Sequence, residues 1–241
     1  MRILRGRRAT IEADREISRR LLSIAADGEC AVRVWTPHRQ IAFGRRDRQL
    51  EGYDRARELA RDGGFPSVER DVGGRAVAYD GETTLAFARA EPVTDFRRGT
   101  DERYERATAA VERALTTLES GLEPVRGEPD DSFCPGAHSL SVTAADGGLR
   151  KIVGIAQRVR QDAAVVAGTV LVANRDPLAA VLEDVYGALA VPFDPESVGT
   201  VADANADGTV SPPDVRSALE DALVGHRANV TVESVGESRT E

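Results

Sequence analysis

Apolar residues first recur at helical spacing over residues 10–26, where Ile17, Leu21, Leu22 and Ile24 make one stripe. Thr10 stands as its N-cap, and Glu12 and Asp14 fall in or near the first turn. Residues 29–35 and 40–44 alternate like strands around a turn at Pro37. Residues 50–62 read as a second helix closed by Gly63-Gly64. A short strand is expected over 66–70, and a hairpin from 75–79 and 83–90 after the pair Gly73-Gly74. Residues 101–119 form a long helix with Val111, Leu115 and Leu118 on one face. Three strands follow at 139–143, 150–159 and 163–173, parted by turns at 146–148 and 161–162. A helix over 176–190 has Pro177 in its first turn. An acidic loop then leads to a last helix over 213–224, and the polar stretch 236–241 is expected to fray. Strands come in clusters with helices between them, which predicts an α+β fold with a mixed, mostly antiparallel sheet packed with helices. The expected division is a main domain over 1–190 and a short helical C-terminal extension over 191–241.

The chain has 241 residues, 41% of them hydrophobic, enough for a full core. Its net charge of −8 argues against a nucleic-acid binder, which needs a basic face to release counterions. No apolar run reaches bilayer length and the basic N-terminus is not followed by one, so a cytoplasmic protein without membrane contact is expected. Two cysteines, Cys30 and Cys134, make no disulfide framework, and no Cys/His cluster has zinc spacing. His38, His138 and His226 are widely separated, and no Ser/His/Asp order or nucleophile elbow is visible.

Of the 32 lysine and arginine residues, only Lys151 is lysine. An ε-amine on a flexible stem shifts its proton when buried or orients a carbonyl, whereas a guanidinium stays charged. Arginine-biased codon usage accounts for the arginines but not for the survivor's place in Lys151-Ile-Val-Gly-Ile-Ala-Gln-Arg158. A second cluster is Arg70-Asp-Val-Gly-Gly-Arg-Ala-Val-Ala-Tyr79, where paired glycines let a ligand approach the amides and Arg70 and Arg75 flank them. A glycine turn with solvated arginines fits the same residues. A third is Asp131-Ser-Phe-Cys-Pro-Gly136, with a cysteine in a loop just before a strand. Near a cation such a thiol is a nucleophile; away from one it is a small packed side chain, the expectation for Cys30.

These stretches, with Gly44-Arg-Arg-Asp-Arg-Gln-Leu-Glu-Gly-Tyr53, occur in the order and spacing of the lipoate–protein ligase A/B and biotin ligase catalytic domain, and the resemblance covers about residues 8–190. The Cys134 and Lys151 segments look most like the octanoyl/lipoyl amidotransferase branch, which moves the acyl group from the glycine-cleavage H protein to the lipoyl domain of a 2-oxoacid dehydrogenase. The resemblance implies the biotin/lipoate-ligase fold, an acyltransferase, and Cys134 as the acyl-accepting nucleophile. It implies Lys151 as the active-site lysine, orienting the reactants or acting as general base. Arg70, Gly73, Gly74, Arg75 and Ala76 would bind the acyl group, and Gly154 would leave room beside its chain. Backbone amides after Pro135 would serve as oxyanion donors. Tyr79 and Ala167 stand where many relatives carry histidine, which leaves the acyl donor open. A transferase would need no cofactor. The alternatives are an ATP- and magnesium-dependent lipoate ligase, or its large subunit, and a non-catalytic lipoyl- or partner-binding module.

A last pattern runs from Asp203 to Asp214. Asp203, Asn205, Asp207, Ser211 and Asp214 take positions 1, 3, 5, 9 and 12 of a calcium-type loop, with the Thr209 carbonyl at 7. No helix is expected before it, and a solvated turn capping the last helix is the alternative.

Overall fold

A computed structural model describes residues 1–70, 73–118, 122–144, 146–204, 210–227 and 229–236. In chain order it contains β1 (Arg2–Arg5), α1 (Ile11–Ala26), β2 (Ala31–Trp35), β3 (Gln40–Phe43), α2 (Tyr53–Asp62), β4 (Ser67–Glu69), β5 (Val77–Tyr79) and β6 (Thr84–Pro92). Then come α3 (Thr100–Thr116), β7 (Val125–Arg126), β8 (Ser139–Thr143), β9 (Leu149–Val159), β10 (Ala163–Leu171), α4 (Arg175–Ala188), α5 (Pro212–Val224) and β11 (Thr231–Ser234). The large sheet has the order β11-β1-β2-β6-β10-β9-β8-β7, and a small one the order β4-β3-β5. The large sheet is antiparallel except where β1 runs parallel to β11 and β2, so the α+β expectation holds.

Period-two alternation sends alternate residues of β6 to opposite faces of the large sheet. Leu85 and Phe87 join Val32 and Val34 under Val111 and Leu115 of α3 and Leu219 and Leu223 of α5. Ala88 and Ala90 face the other way, under Leu21 and Leu22 of α1. Thr10 caps α1 as expected, its hydroxyl accepting the Ala13 N–H at 3.2 Å. The small sheet rests on α2 and α4 through Ile41, Phe43, Ala56, Leu178, Leu182 and Val185. No helix among the described residues is long and apolar enough to cross a membrane.

The expected hairpin between 75–79 and 83–90 does not form. β5 pairs antiparallel with β3, and β6 pairs with β2 and β10 in the other sheet. Asp80 makes the switch: its carboxylate accepts the N–H groups of Glu82, Thr83 and Thr84 at 3.0, 2.9 and 2.8 Å. Those bonds stand in for ladder bonds and turn the chain out of one sheet into the other. The stretch after residue 190 lies on the same core: Val198, Val201, Val215, Leu219 and Leu223 are buried, and β11 extends the large sheet beside β1.

Candidate active site

β9 runs antiparallel to β8 and carries Lys151 into the interior, where the side chain is fully buried. Its ammonium has three hydrogens and three acceptors: Glu128 Oε2 at 2.6 Å, the Phe133 carbonyl at 2.8 Å and the Cys134 carbonyl at 3.0 Å. Glu128 also accepts the Gly136 N–H at 2.8 Å and the Ser139 hydroxyl at 2.7 Å. Burial pulls the Lys151 pKa down, opposed by the fields of Cys134 and Glu128. Burial pulls the Glu128 carboxyl up, but the bonds from Lys151, Ser139 and Gly136 outweigh it and hold that carboxyl below its ordinary value. The loop from Asp131 to Gly136 is thus tied to β9, with Asp131 and Cys134 at φ +52° and +44°, a left-handed conformation unusual outside glycine.

That backbone turns the Cys134 side chain toward the loop ahead of β5. Sγ lies 2.8 Å from Arg70 Nη2 and 3.3 Å from the Arg75 backbone N–H. The same Nη2 donates to the Arg75 carbonyl at 2.6 Å, while Arg70 Nε is buried without a partner. Burial would lower the Arg70 pKa, but the surrounding Cys134, Tyr79 and Tyr186 groups raise it. Gly74, at φ +101°, is required twice over: a Cβ there would stand 2.2 Å from Arg70 Nη2 and 2.5 Å from Cys134 Sγ. Asp47, fully buried, anchors this loop from outside, accepting the Gly44 N–H at 2.8 Å and Arg75 Nη1 at 3.2 Å. Burial raises its carboxyl pKa against those bonds. Tyr186 of α4 closes the frame. Its hydroxyl accepts the Cys134 N–H at 2.6 Å and donates to the Ala76 carbonyl at 3.0 Å.

A cavity of about 540 Å³ opens beside the sulfur. Small residues line it along the sheet, Ala86 and Ala88 on β6, Gly154 and Ala156 on β9, and Ala167 and Gly168 on β10. Trp35, Tyr79 and Tyr104 add aromatic surface, and Tyr104 stacks on His138 with centroids 3.9 Å apart. A Cβ on Gly168 would fall 2.3 Å from Phe87 Cζ, so the absent side chain there is a packing necessity. Such a trough of alkyl carbon suits a linear acyl chain with its carbonyl at Cys134.

The structure therefore brings Cys134, Lys151, Arg70, Arg75 and Ala76 into one bonded cluster, with Gly73, Gly74 and Gly154 on the cavity wall. Of the amides around Pro135, the Cys134 N–H is taken by Tyr186 and the Gly136 N–H by Glu128, so the first amide after Pro135 is already committed. Sequence reading missed Glu128, Tyr186 and Asp47. Tyr186 sits on the apolar stripe of α4 and is indistinguishable there from a core tyrosine.

The acidic loop is only partly visible: Asn205, Asp207 and Thr209 lie outside the described residues. Asp203 accepts the Thr200 N–H at 3.0 Å, and Asp214 completes a capping box with Ser211 at the start of α5. Among the described residues no group of three or more His, Cys, Asp or Glu side chains is placed to hold a metal ion.

Several curated proteins match the chain over about half its length. An octanoyl-GcvH:protein N-octanoyltransferase of Bacillus velezensis is 32% identical over 135 residues, 55% of this chain and 43% of that protein. An enzyme of the same name from Geobacillus kaustophilus is 31% identical over 134 residues, 56% of this chain and 44% of that protein. The matched stretch spans less than half the length of either relative. The crystal structure of lipoate-protein ligase A bound with ATP superposes with a TM-score of 0.72 at 22% identity, covering 99% of this chain and 89% of that one, which shows a common fold. The model of the lipoyl protein ligase A/B catalytic domain matches residues 13–224, from the first helix through the cysteine loop, β9 and α5. By that match, which takes in the whole bonded cluster around Cys134, the chain belongs to the lipoyl protein ligase A/B catalytic-domain family.

Proposed function

We propose that this protein moves an octanoyl or lipoyl group, through a thioester on Cys134, onto a lysine of a lipoyl-carrier domain. The observation that carries the reading is Cys134 Sγ held 2.8 Å from a guanidinium at the edge of the acyl-sized cavity. An arginine Nη2–H and a backbone N–H both point at the sulfur, which attacks as the thiolate. A ligase that activates a free acid with ATP has no use for a cysteine so placed. The names of the curated relatives point to the same chemistry and to the glycine-cleavage H protein as acyl donor.

In the first step the Cys134 thiolate attacks the carbonyl carbon of the octanoyl-lysine amide on the donor. The C–S bond forms, the C–N bond breaks, and the departing lysine nitrogen takes a proton from water and leaves as an amine. The unused Arg70 Nε–H is the donor at hand for the oxyanion. In the second step the neutral amine of the acceptor lysine attacks the thioester. The C–N bond forms, the C–S bond breaks, the amine's extra proton passes to water and the thiolate returns to Arg70. Lysines of H protein or of 2-oxoacid dehydrogenase lipoyl domains are the proposed acceptors. Lys151 orients rather than exchanges protons, because its three hydrogens are all donated within the loop. The scheme needs no nucleotide or metal.

Intact-protein mass spectrometry tests it. Incubation with octanoylated H protein is expected to add one octanoyl group that hydroxylamine removes and that Cys134→Ser does not take up. No adduct, with pyrophosphate released from octanoate, ATP and magnesium, would make the protein a ligase instead. Unchanged protein in both incubations, with binding to a lipoyl domain retained, would leave a non-catalytic binding module.

A further inference from the structure

Both backbone polar groups of Cys134 are spent on buried side chains from different elements. Its carbonyl is held by Lys151 of β9 and its N–H by Tyr186 of α4. The two bonds differ in what they connect. Lys151, with Glu128, ties the cysteine loop to itself and to the sheet behind it. The Tyr186 hydroxyl instead bridges two loops distant in sequence: it accepts from Cys134 and donates to the carbonyl of Ala76. The segment 70–76 supplies Arg70 and the Arg75 N–H to the sulfur, so the hydroxyl fixes the distance between the nucleophile and its counter-charge. Only one proton arrangement satisfies both bonds, with the phenol donating to Ala76, and burial holds the phenol pKa well above its usual value so the donor persists. Cys134 also sits at φ +44°, a conformation that persists only where the surroundings impose it.

We infer that Tyr186 is a positioning residue for acyl transfer: its hydroxyl latches the cysteine loop to the acyl-binding loop and keeps Cys134 Sγ against Arg70. This role deepens the acyl-transfer reading and rests on it for the reaction, though not for the geometry. Without the hydroxyl, the Cys134 amide and the Ala76 carbonyl both lose their partner. The loop then relaxes from the left-handed state and carries the sulfur off its donors, while the ring still packs on Phe193, 5.0 Å away.

The full-length chain is compared with Tyr186→Phe and with Phe193→Leu, which disturbs the packing of the same ring but leaves the hydroxyl bonds. One readout is the rate of Cys134 alkylation by iodoacetamide at pH 7, followed by peptide mass spectrometry so that Cys30 is counted separately. The other is the rate of Cys134 acylation by octanoylated H protein across donor concentrations. Tyr186→Phe is expected to slow both by at least about tenfold while the half-saturating donor concentration stays within about twofold. Phe193→Leu is expected to lower the melting temperature and keep both rates within about twofold of wild type. Wild-type alkylation and acylation in Tyr186→Phe would overturn the role, as would equal slowing in both variants at matched loss of melting temperature. A wild type that takes up no octanoyl group, with alkylation still dependent on the hydroxyl, would sink the transfer reading and leave the latch standing.

Discussion

Lys151 and Arg70 divide between them what one cation does in simpler thiol sites. Arg70 faces the sulfur, and Lys151 faces the backbone that carries it. Replacing Lys151 with methionine keeps much of the volume but strands the Glu128 carboxylate and two carbonyls. The expected cost is about 3 kcal/mol in urea denaturation, because an ion left without its buried partner is penalised more than the pair was worth. Gly74→Ala works at the opposite face. Its methyl would need the space of Arg70 Nη2 and Cys134 Sγ and a φ that alanine resists. Octanoyl uptake by Cys134 is expected to fall by more than about tenfold, with a stability loss of only about 1–2 kcal/mol. Cys134 and Lys151 could be singled out in the sequence because rare, reactive residue types draw attention by themselves. Glu128 and Tyr186 could not, since a glutamate in a loop and a tyrosine on an apolar stripe acquire their roles only when the chain folds back over them.

At the scale of elements, most helices and the long strands of the centre follow from local periodicity, while the pairing of short strands does not. β3, β4 and β5 have three or four residues each, and alternation over so short a run is silent about which sheet accepts it. β1 and β11 escape the periodicity for a related reason: each is four residues long, and the ladder between them joins residues more than 200 positions apart. Asp80 is where the two sheets part. Burial raises its carboxyl pKa, but bonds from Thr83, Thr84, Asn174 and Glu82 outweigh that and hold it at about 2. A carboxyl depressed on folding stabilises the native state above its unfolded pKa and loses that contribution as pH falls through the folded one. Asp80 therefore contributes fully above about pH 5 and loses its share between about pH 4 and pH 2. Discounted for partial solvation, the share is about 1–2 kcal/mol. Asp80→Asn should be less stable than wild type at pH 7, and the gap should close on acid titration followed by circular dichroism.

At the scale of the molecule, late segments among the described residues pack on early ones. Truncation after residue 190 removes Val198, Val201, Val215, Leu219 and Leu223 from the core. At about 1.5–3 kcal/mol per buried apolar side chain, that loss is comparable to the entire ~5–15 kcal/mol that holds a domain folded. The truncated chain is expected to be insoluble on expression. A different consequence follows from the solitary lysine. The surface is wetted on its basic side by guanidinium groups alone, and the only side-chain amine is sealed in the interior with every hydrogen committed. On the proposed reading, the thioester on Cys134 meets no exposed lysine among the 241 residues that bear it, so the lysine it acylates is drawn from a partner.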